Sequence, residues 1–237
     1  DWYRISPLPP PAQVKREIVF LEESLKPTPD SQVLELGCGA GQHVIELARK
    51  GYKITGFDMS LQLLIQAGEL AQREGLQVDF LQGDFKEIGV EERFDAIYCL
   101  GSRFGYFNDK NNAMVIESVN RALKKGGRFL LELTNRDYCI RDLPARIWRE
   151  GAGCLVLEEV EFEYFTSRLI SKRTVVFEDG RHLEQEISVR VYSLHEVGNI
   201  LHRAGFRVLQ VSGNLAHPGV FFGHHSRSLL FLAEKKK

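Results

Sequence analysis

The chain has 237 residues, 43% hydrophobic and 27% charged, proportions ordinary for a globular protein with a sizeable core. Its net charge of −1 excludes a general electrostatic pull toward nucleic acid or an anionic membrane. No apolar run approaches the roughly 20 residues needed to cross a bilayer, so no membrane association is expected.

Residues 1–11 form a proline-punctuated arm, and a helix is predicted from Ala12 to Leu25 with Val14, Ile18, Val19, Leu21 and Leu25 mostly along one face. The run Val33–Leu36 reads as a buried strand that ends in Gly37-Cys38-Gly39-Ala40-Gly41. It passes straight into a helix carrying Val44, Ile45, Leu47 and Ala48. Glycines let such a turn adopt unusual dihedrals and lie against a ligand, while the N-terminal N–H groups of the helix point into the same space. A dinucleotide fingerprint would need glycine at position 42, where this chain has Gln42. A second strand ends at Asp58, placed to accept ribose hydroxyls or to cap a helix, with Ser60 as the better cap for a helix over Leu61–Arg73. A third strand, Val78–Gln82, runs into Gly83-Asp84-Phe85. A fourth, Phe94–Leu100, leaves into the aromatic-glycine loop Gly101–Phe107.

The next helix, Asp109–Leu123, is expected to stop at Lys124-Lys125-Gly126-Gly127, and a strand follows at Arg128–Leu133. From 140 to 192 the texture changes to alternation. Val160, Phe162 and Tyr164 interleave with glutamates, and a second such run follows the Asp179-Gly180 turn. This predicts an antiparallel meander of about three strands with one apolar and one charged face. Ser193 then caps a helix to His202, and Phe206–Val211 and Ser228–Ala233 are the last strands. The four cysteines lack a C-x-x-C pair and read as reduced thiols, which predicts a cytoplasmic protein. His217, His224 and His225 lack metal-ligand spacing, so no metal is expected.

Glu35-x-Gly37-x-Gly39-x-Gly41, then Asp58, then Gly83-Asp84-Phe85, then Leu-Lys-Lys-Gly-Gly before a strand, stand in one order along the chain. This order resembles the class I S-adenosylmethionine-dependent methyltransferases. The resemblance implies an α/β fold with a Rossmann-like seven-stranded, mostly parallel sheet, helices on both faces and a small antiparallel β insertion. The implied division is a cofactor-binding domain at 1–139 and 193–237, with an inserted substrate-covering subdomain at 140–192. The implied cofactor is S-adenosylmethionine. Glu35, Gly37, Cys38, Gly39, Gly41 and His43 would lie at the turn, although a surface helix position for His43 is an equal reading. Asp58 and Met59 would lie at the ribose, and Gly83, Asp84 and the Phe85 amide at the adenine. Leu100 and Gly101 would close the strand end, and Tyr3 would fold over the cofactor from the arm.

The loops after the fourth and fifth strands are partly similar to those of glycine and sarcosine N-methyltransferases. Ser102-Arg103-Phe104 and Asp137 depart from that pattern, so substrate identity does not carry over. Arg103, Tyr106, Asn135, Arg136 and Tyr138 are the acceptor-side candidates, with core packing as the competing reading for the aromatic residues of the loop. The expected activity is in-line transfer of a methyl group to nitrogen or oxygen of a small molecule, by a monomer or homodimer. A non-catalytic S-adenosylmethionine sensor and an RNA methyltransferase are the alternatives. The latter lacks the Asn/Asp-Pro-Pro-aromatic motif, since Leu100-Gly101-Ser102-Arg103 stands in its place.

Overall fold

The computed structural model describes residues 8–143, 145–151 and 153–236. Helix α1 (Pro11–Leu25) precedes β1 (Gln32–Leu36), α2 (Gln42–Arg49), β2 (Lys53–Asp58), α3 (Leu61–Arg73), β3 (Asp79–Gln82) and β4 (Phe94–Cys99). Then come α4 (Asp109–Ala122), β5 (Leu123–Thr134) and α5 (Arg136–Asp142). Four strands follow: β6 (Arg146–Gly151), β7 (Cys154–Glu163), β8 (Arg168–Phe177) and β9 (His182–Arg190). The chain closes with α6 (Leu194–Arg203), β10 (Phe206–Ser212) and β11 (Ser228–Lys235).

The main sheet has seven strands in the order β10-β11-β5-β4-β1-β2-β3, and β11 runs antiparallel to both of its neighbours. Strand order reverses at β1 and β4, which opens a crevice outside their carboxyl ends, where ligands bind in open α/β sheets. Each face carries its own core. Val115, Ile116 and Val119 of α4 and Val197 and Leu201 of α6 pack on one side. Val14, Ile18 and Leu21 of α1, Val44 and Leu47 of α2 and Leu64 of α3 pack on the other. Ser193 caps α6 in a reciprocal box with Glu196, as its spacing predicts.

Three local expectations change. Helix α4 ends at Ala122 and Leu123 is already extended, so Lys124-Lys125-Gly126-Gly127 opens β5 instead of capping the helix. The reason is a partner: Lys124 Nζ reaches Asp95 at 2.8 Å, which holds the segment along β4. The meander has four strands in the order β6-β7-β8-β9, because Arg146–Gly151 pairs with β7 although its own sequence does not alternate. Its faces also mix. Glu158 shares the side of buried Val156 and pairs with Arg173 at 2.7 Å, while Leu155 and Leu157 point outward. Tyr164 sits in the turn beyond β7 and is 67% exposed. His224 and His225 lie in a short 3-10 turn.

Candidate active site

The turn after β1 is built as its glycines require. Gly37, Gly39 and Gly41 have φ of 80°, 54° and 78°, a region that costs other L-residues about 1–2 kcal/mol. The Gly37 and Cys38 amides donate to the Phe57 carbonyl, and the Gly39 amide donates to Asp58 Oδ2 at 2.8 Å. Asp58 Oδ1 takes the Ser60 amide. Asp58 therefore fastens the loop to the end of β2 while its remaining lone pairs are open to a ligand. Ser60 is the N-cap of α3, accepting from the Leu63 amide, so the cap expected of this segment is Ser60.

At position 39 an added Cβ would meet only the far end of the Arg103 side chain, 3.5 Å away. At position 41 it would lie 2.8 Å from Ala67 Cβ. Gly39 thus faces the open crevice, whereas Gly41 is needed for helix packing.

Two cavities share this loop. The larger, about 440 Å³, is lined by Leu8, Pro9, Pro10, Gln13 and Glu17 of the first segment, by Glu35, Cys38, Gln42 and His43, and by Leu100, Gly101 and Arg103. The smaller, about 160 Å³, is bounded by Gly37, Asp58, Met59 and Phe85 and by the loop residues Arg103 to Phe107. Asp84 stands at the end of β3 with its carboxylate partly exposed, accepting from the Lys86 amide. The Phe85 ring packs on Phe57 with centroids 6.1 Å apart, and Phe85 lines the smaller cavity. The residues present suit a nucleoside with an amino-acid tail. They offer a bare main-chain turn, the Asp58 carboxylate at the end of β2, an apolar wall at Met59 and Phe85, and charged groups at the larger cavity.

A buried charge chain underlies the larger cavity. His43 Nε2 lies 2.6 Å from Glu17 Oε2, and His43 Nδ1 lies 3.3 Å from Glu35 Oε1. The buried Tyr98 hydroxyl donates to Glu35 Oε2 at 3.2 Å. Burial opposes the charge on His43, but Glu35 and Glu17 outweigh it and raise the imidazole pKa to about 10. His43 is a fixed cation at neutral pH and cannot serve as a general base. Burial also opposes ionisation of Glu17, yet its hydrogen bonds from His43 and Gln13 bring its pKa below the ordinary value. Burial pushes the Cys99 thiol up to about 12 and the Cys38 thiol higher still, where Glu35 and Asp58 add to the effect. Neither thiol supplies a nucleophilic thiolate at neutral pH.

Of the remaining candidates, Arg103 lines both cavities and Tyr106 the smaller one. Phe104 is core, 6% exposed and 5.7 Å from the Tyr192 ring. Asn135 is fully buried and does not open onto either cavity. Its Oδ1 caps α5 at the Asp137 amide, and its Nδ2 serves the Gly223 and Ser226 carbonyls. Arg136 lies in a separate cavity with Arg168 and Arg190, bonded to Ser167, and Tyr138 stacks under Arg227. Tyr3 lies outside the described residues. The sequence reading missed Glu17 and Gln13. The signal was an acid at position 17 inside the apolar stripe of α1, a place where a charge needs a partner.

The methyltransferase-domain family profile matches residues 33–127, from β1 through the glycine turn and α4 to Gly127. Residues 33–127 thus match a methyltransferase domain, and the chain is similar to the class I S-adenosylmethionine-dependent methyltransferases. A putative methyltransferase, YqeM, of Bacillus subtilis (strain 168) is 25% identical over 224 residues, covering 87% of this chain and 85% of that one. Glycine/sarcosine N-methyltransferase of Aphanothece halophytica is 29% identical over 129 residues, covering 53% of this chain and 49% of that protein. The match to that methyltransferase thus spans about half its length. The CcbJ methyltransferase of Streptomyces caelestis superposes with a TM-score of 0.82 at 18% identity, covering 97% of this chain and 94% of its own, and shares the fold. S-adenosylmethionine is accordingly the cofactor. Among the described residues no helix of this methyltransferase is long and apolar enough to cross a membrane.

Proposed function

We propose that this methyltransferase transfers a methyl group to a nitrogen or oxygen atom of a small-molecule acceptor. The single observation behind this reading is the seating of the second sheet on the loop after β4. The Arg190 amide donates to the Gly105 carbonyl at 2.8 Å, and Arg168 Nη1 donates to the Phe107 carbonyl at 3.1 Å. The acceptor loop is thereby pinned from above, which favours an enclosed pocket sized for a metabolite over an open groove for a polymer.

Bound S-adenosylmethionine supplies an electrophilic methyl on a sulfonium with a neutral thioether as leaving group. Asp58 would hold the ribose, Asp84 and the Phe85 amide the adenine, and the loop Gly37–Gly41 the backbone of the cofactor. Tyr106 and Phe107 would wall the acceptor, hold its lone pair toward the crevice and exclude water. Approximation and orientation of this kind account for large rate gains without a proton relay. The net charge of −1 adds no basic footprint for RNA.

Titration calorimetry with S-adenosylmethionine, S-adenosylhomocysteine and NAD tests the cofactor site, and preferential binding of NAD would refute it. Incubation with methyl-labelled cofactor and fractionated metabolite extracts tests the acceptor class. Label recovered in a small amine or hydroxyl compound is the expected result. Label in RNA, or tight binding without any labelled product, would refute the proposal in favour of an RNA enzyme or a sensor.

A further inference from the structure

Arg103 stands apart from the other charged groups of the crevice. It belongs to a loop forced into unusual backbone: Gly101, Ser102 and Gly105 have φ of 74°, 52° and 103°. Ser102 is one of the few non-glycine residues in that region among those described, and the next side chain, Arg103, lies over the glycine turn. The start of the loop is fixed by the Gly101 amide, which donates to Glu132 Oε2 at 2.8 Å. From there the Arg103 stem runs along the glycine turn. Its Cδ is 2.7 Å from the point a Cβ at Gly37 would occupy, and its Nη2 is 3.5 Å from the corresponding point at Gly39. The side chain borders both cavities.

The charges around it are unbalanced in an informative way. The larger cavity is bordered by two carboxylates, Glu17 and Glu35, and by two cations, His43 and Arg103. His43 is shared between the two carboxylates. Arg103 forms no hydrogen bond or ion pair with any described residue. The trio of Glu17, His43 and Glu35 carries one surplus negative charge, and across the same cavity a guanidinium has all its donors free. A zwitterion with an ammonium and a carboxylate on one carbon complements that pair. A guanidinium is also the side chain best shaped to take a carboxylate in two parallel hydrogen bonds.

We propose that Arg103 binds the carboxylate of the methionine moiety of S-adenosylmethionine. This makes it a cofactor residue and not an acceptor-side one. The proposal rests on placing the cofactor on the Gly37–Gly41 turn. It also makes the acceptor loop a direct ligand of the cofactor, because Arg103 sits two residues before Gly105, where the second sheet is attached.

The test is calorimetric titration of wild type and Arg103→Gln with two thioethers. S-adenosylhomocysteine carries the amino-acid tail, and 5′-methylthioadenosine has the same nucleoside and sulfur without it. Loss of a charge-assisted, two-pronged contact weakens binding by roughly 10- to 100-fold. Arg103→Gln should lose that much for S-adenosylhomocysteine and stay within about threefold for 5′-methylthioadenosine, while Arg103→Lys recovers part of the loss. Thermal unfolding of the exposed variant should match wild type. Equal losses for both ligands, or unchanged affinity for S-adenosylhomocysteine, would overturn the role of Arg103. Wild type that binds neither thioether would overturn the cofactor placement itself, a result distinct from the other two.

Discussion

Replacing His43 should cost this protein several kcal/mol of stability, and the cost should vary with pH in one direction. The imidazole is about nine-tenths buried, with side-chain exposure of 13%, between Glu17 at 12% and Glu35 at 4%. His43→Gln removes the cation and leaves two carboxylates facing each other. Breaking a buried ion pair from one side costs about 3–5 kcal/mol. The pKa route gives a similar size. A rise from 6.5 to about 10 is worth a ceiling of about 5 kcal/mol at 1.36 kcal/mol per unit.

The sign follows from the direction of the shift. A group whose folded pKa is raised stabilises fully below its unfolded value, here 6.5, and that contribution disappears as pH rises through about 10. Glu17, whose pKa is lowered, stabilises above its ordinary value of 4.5 and loses that contribution as pH falls through its depressed folded value. Urea denaturation of wild type and His43→Gln at pH 6, 8 and 10 should therefore show the largest difference at pH 6 and a small one at pH 10. A Glu17→Gln partner and the double variant complete a cycle whose coupling should exceed about 1 kcal/mol. A difference below about 1 kcal/mol at pH 6, or one that is flat across the range, would refute the reasoning.

Gly39→Val should abolish S-adenosylhomocysteine binding at a stability cost near the 1–2 kcal/mol of its left-handed backbone, since its Cβ meets only the Arg103 end; Gly41→Ala, driven against Ala67, should destabilise more in thermal unfolding. Asp58→Ala strands two backbone donors, Gly39 and Ser60, and should cost about 1–3 kcal/mol together with cofactor affinity. Asp84→Ala, whose partner is Lys86, should change stability by less than about 0.5 kcal/mol while lowering affinity for the adenine end, read by calorimetry with adenosine. Gly105→Ala would push a methyl group into the Arg190 carbonyl at a φ of 103°, detach the second sheet from the loop and reduce turnover more than S-adenosylhomocysteine affinity in single-turnover assays.

The glycine turn, Asp58 and the end of β3 were legible because their chemistry is written in consecutive residues. A φ above zero demands glycine, and a strand end presents its last side chain and amide to whatever lies beyond it. The α/β rhythm and the Ser193 cap were legible for the same local reason. What could not be read was pairing at a distance. Strand β6 exists because β7 offers it hydrogen-bond partners from Arg146 to Gly151, not because of its own pattern. Asn135 looked like an acceptor residue by position, but its amide serves carbonyls of Gly223 and Ser226, about ninety residues away. Glu17 looked like an ordinary helix acid until His43 and Glu35 arrived from two other elements. The local code thus names the glycine loop, while the charges beside it come from tertiary contacts.

That division explains why α1 matters to a site whose sequence signature begins only at β1. The crevice holds two anionic groups, Glu17 and Glu35, beside the glycine turn, and two buried carboxylates repel each other unless something stands between them. His43 stands there, on the first turn of the helix that follows the glycines, so the residue that neutralises the pair is carried directly beside the turn proposed to receive the cofactor. Any force that shifts α1 therefore also moves His43, and with it α2 and the amides at its start. On the proposed cofactor placement, the first helix contributes to the site by electrostatics and not by contact alone. A truncation that removes α1 should lose S-adenosylhomocysteine binding even if the seven-stranded sheet still forms, and circular dichroism beside calorimetry would separate those two outcomes.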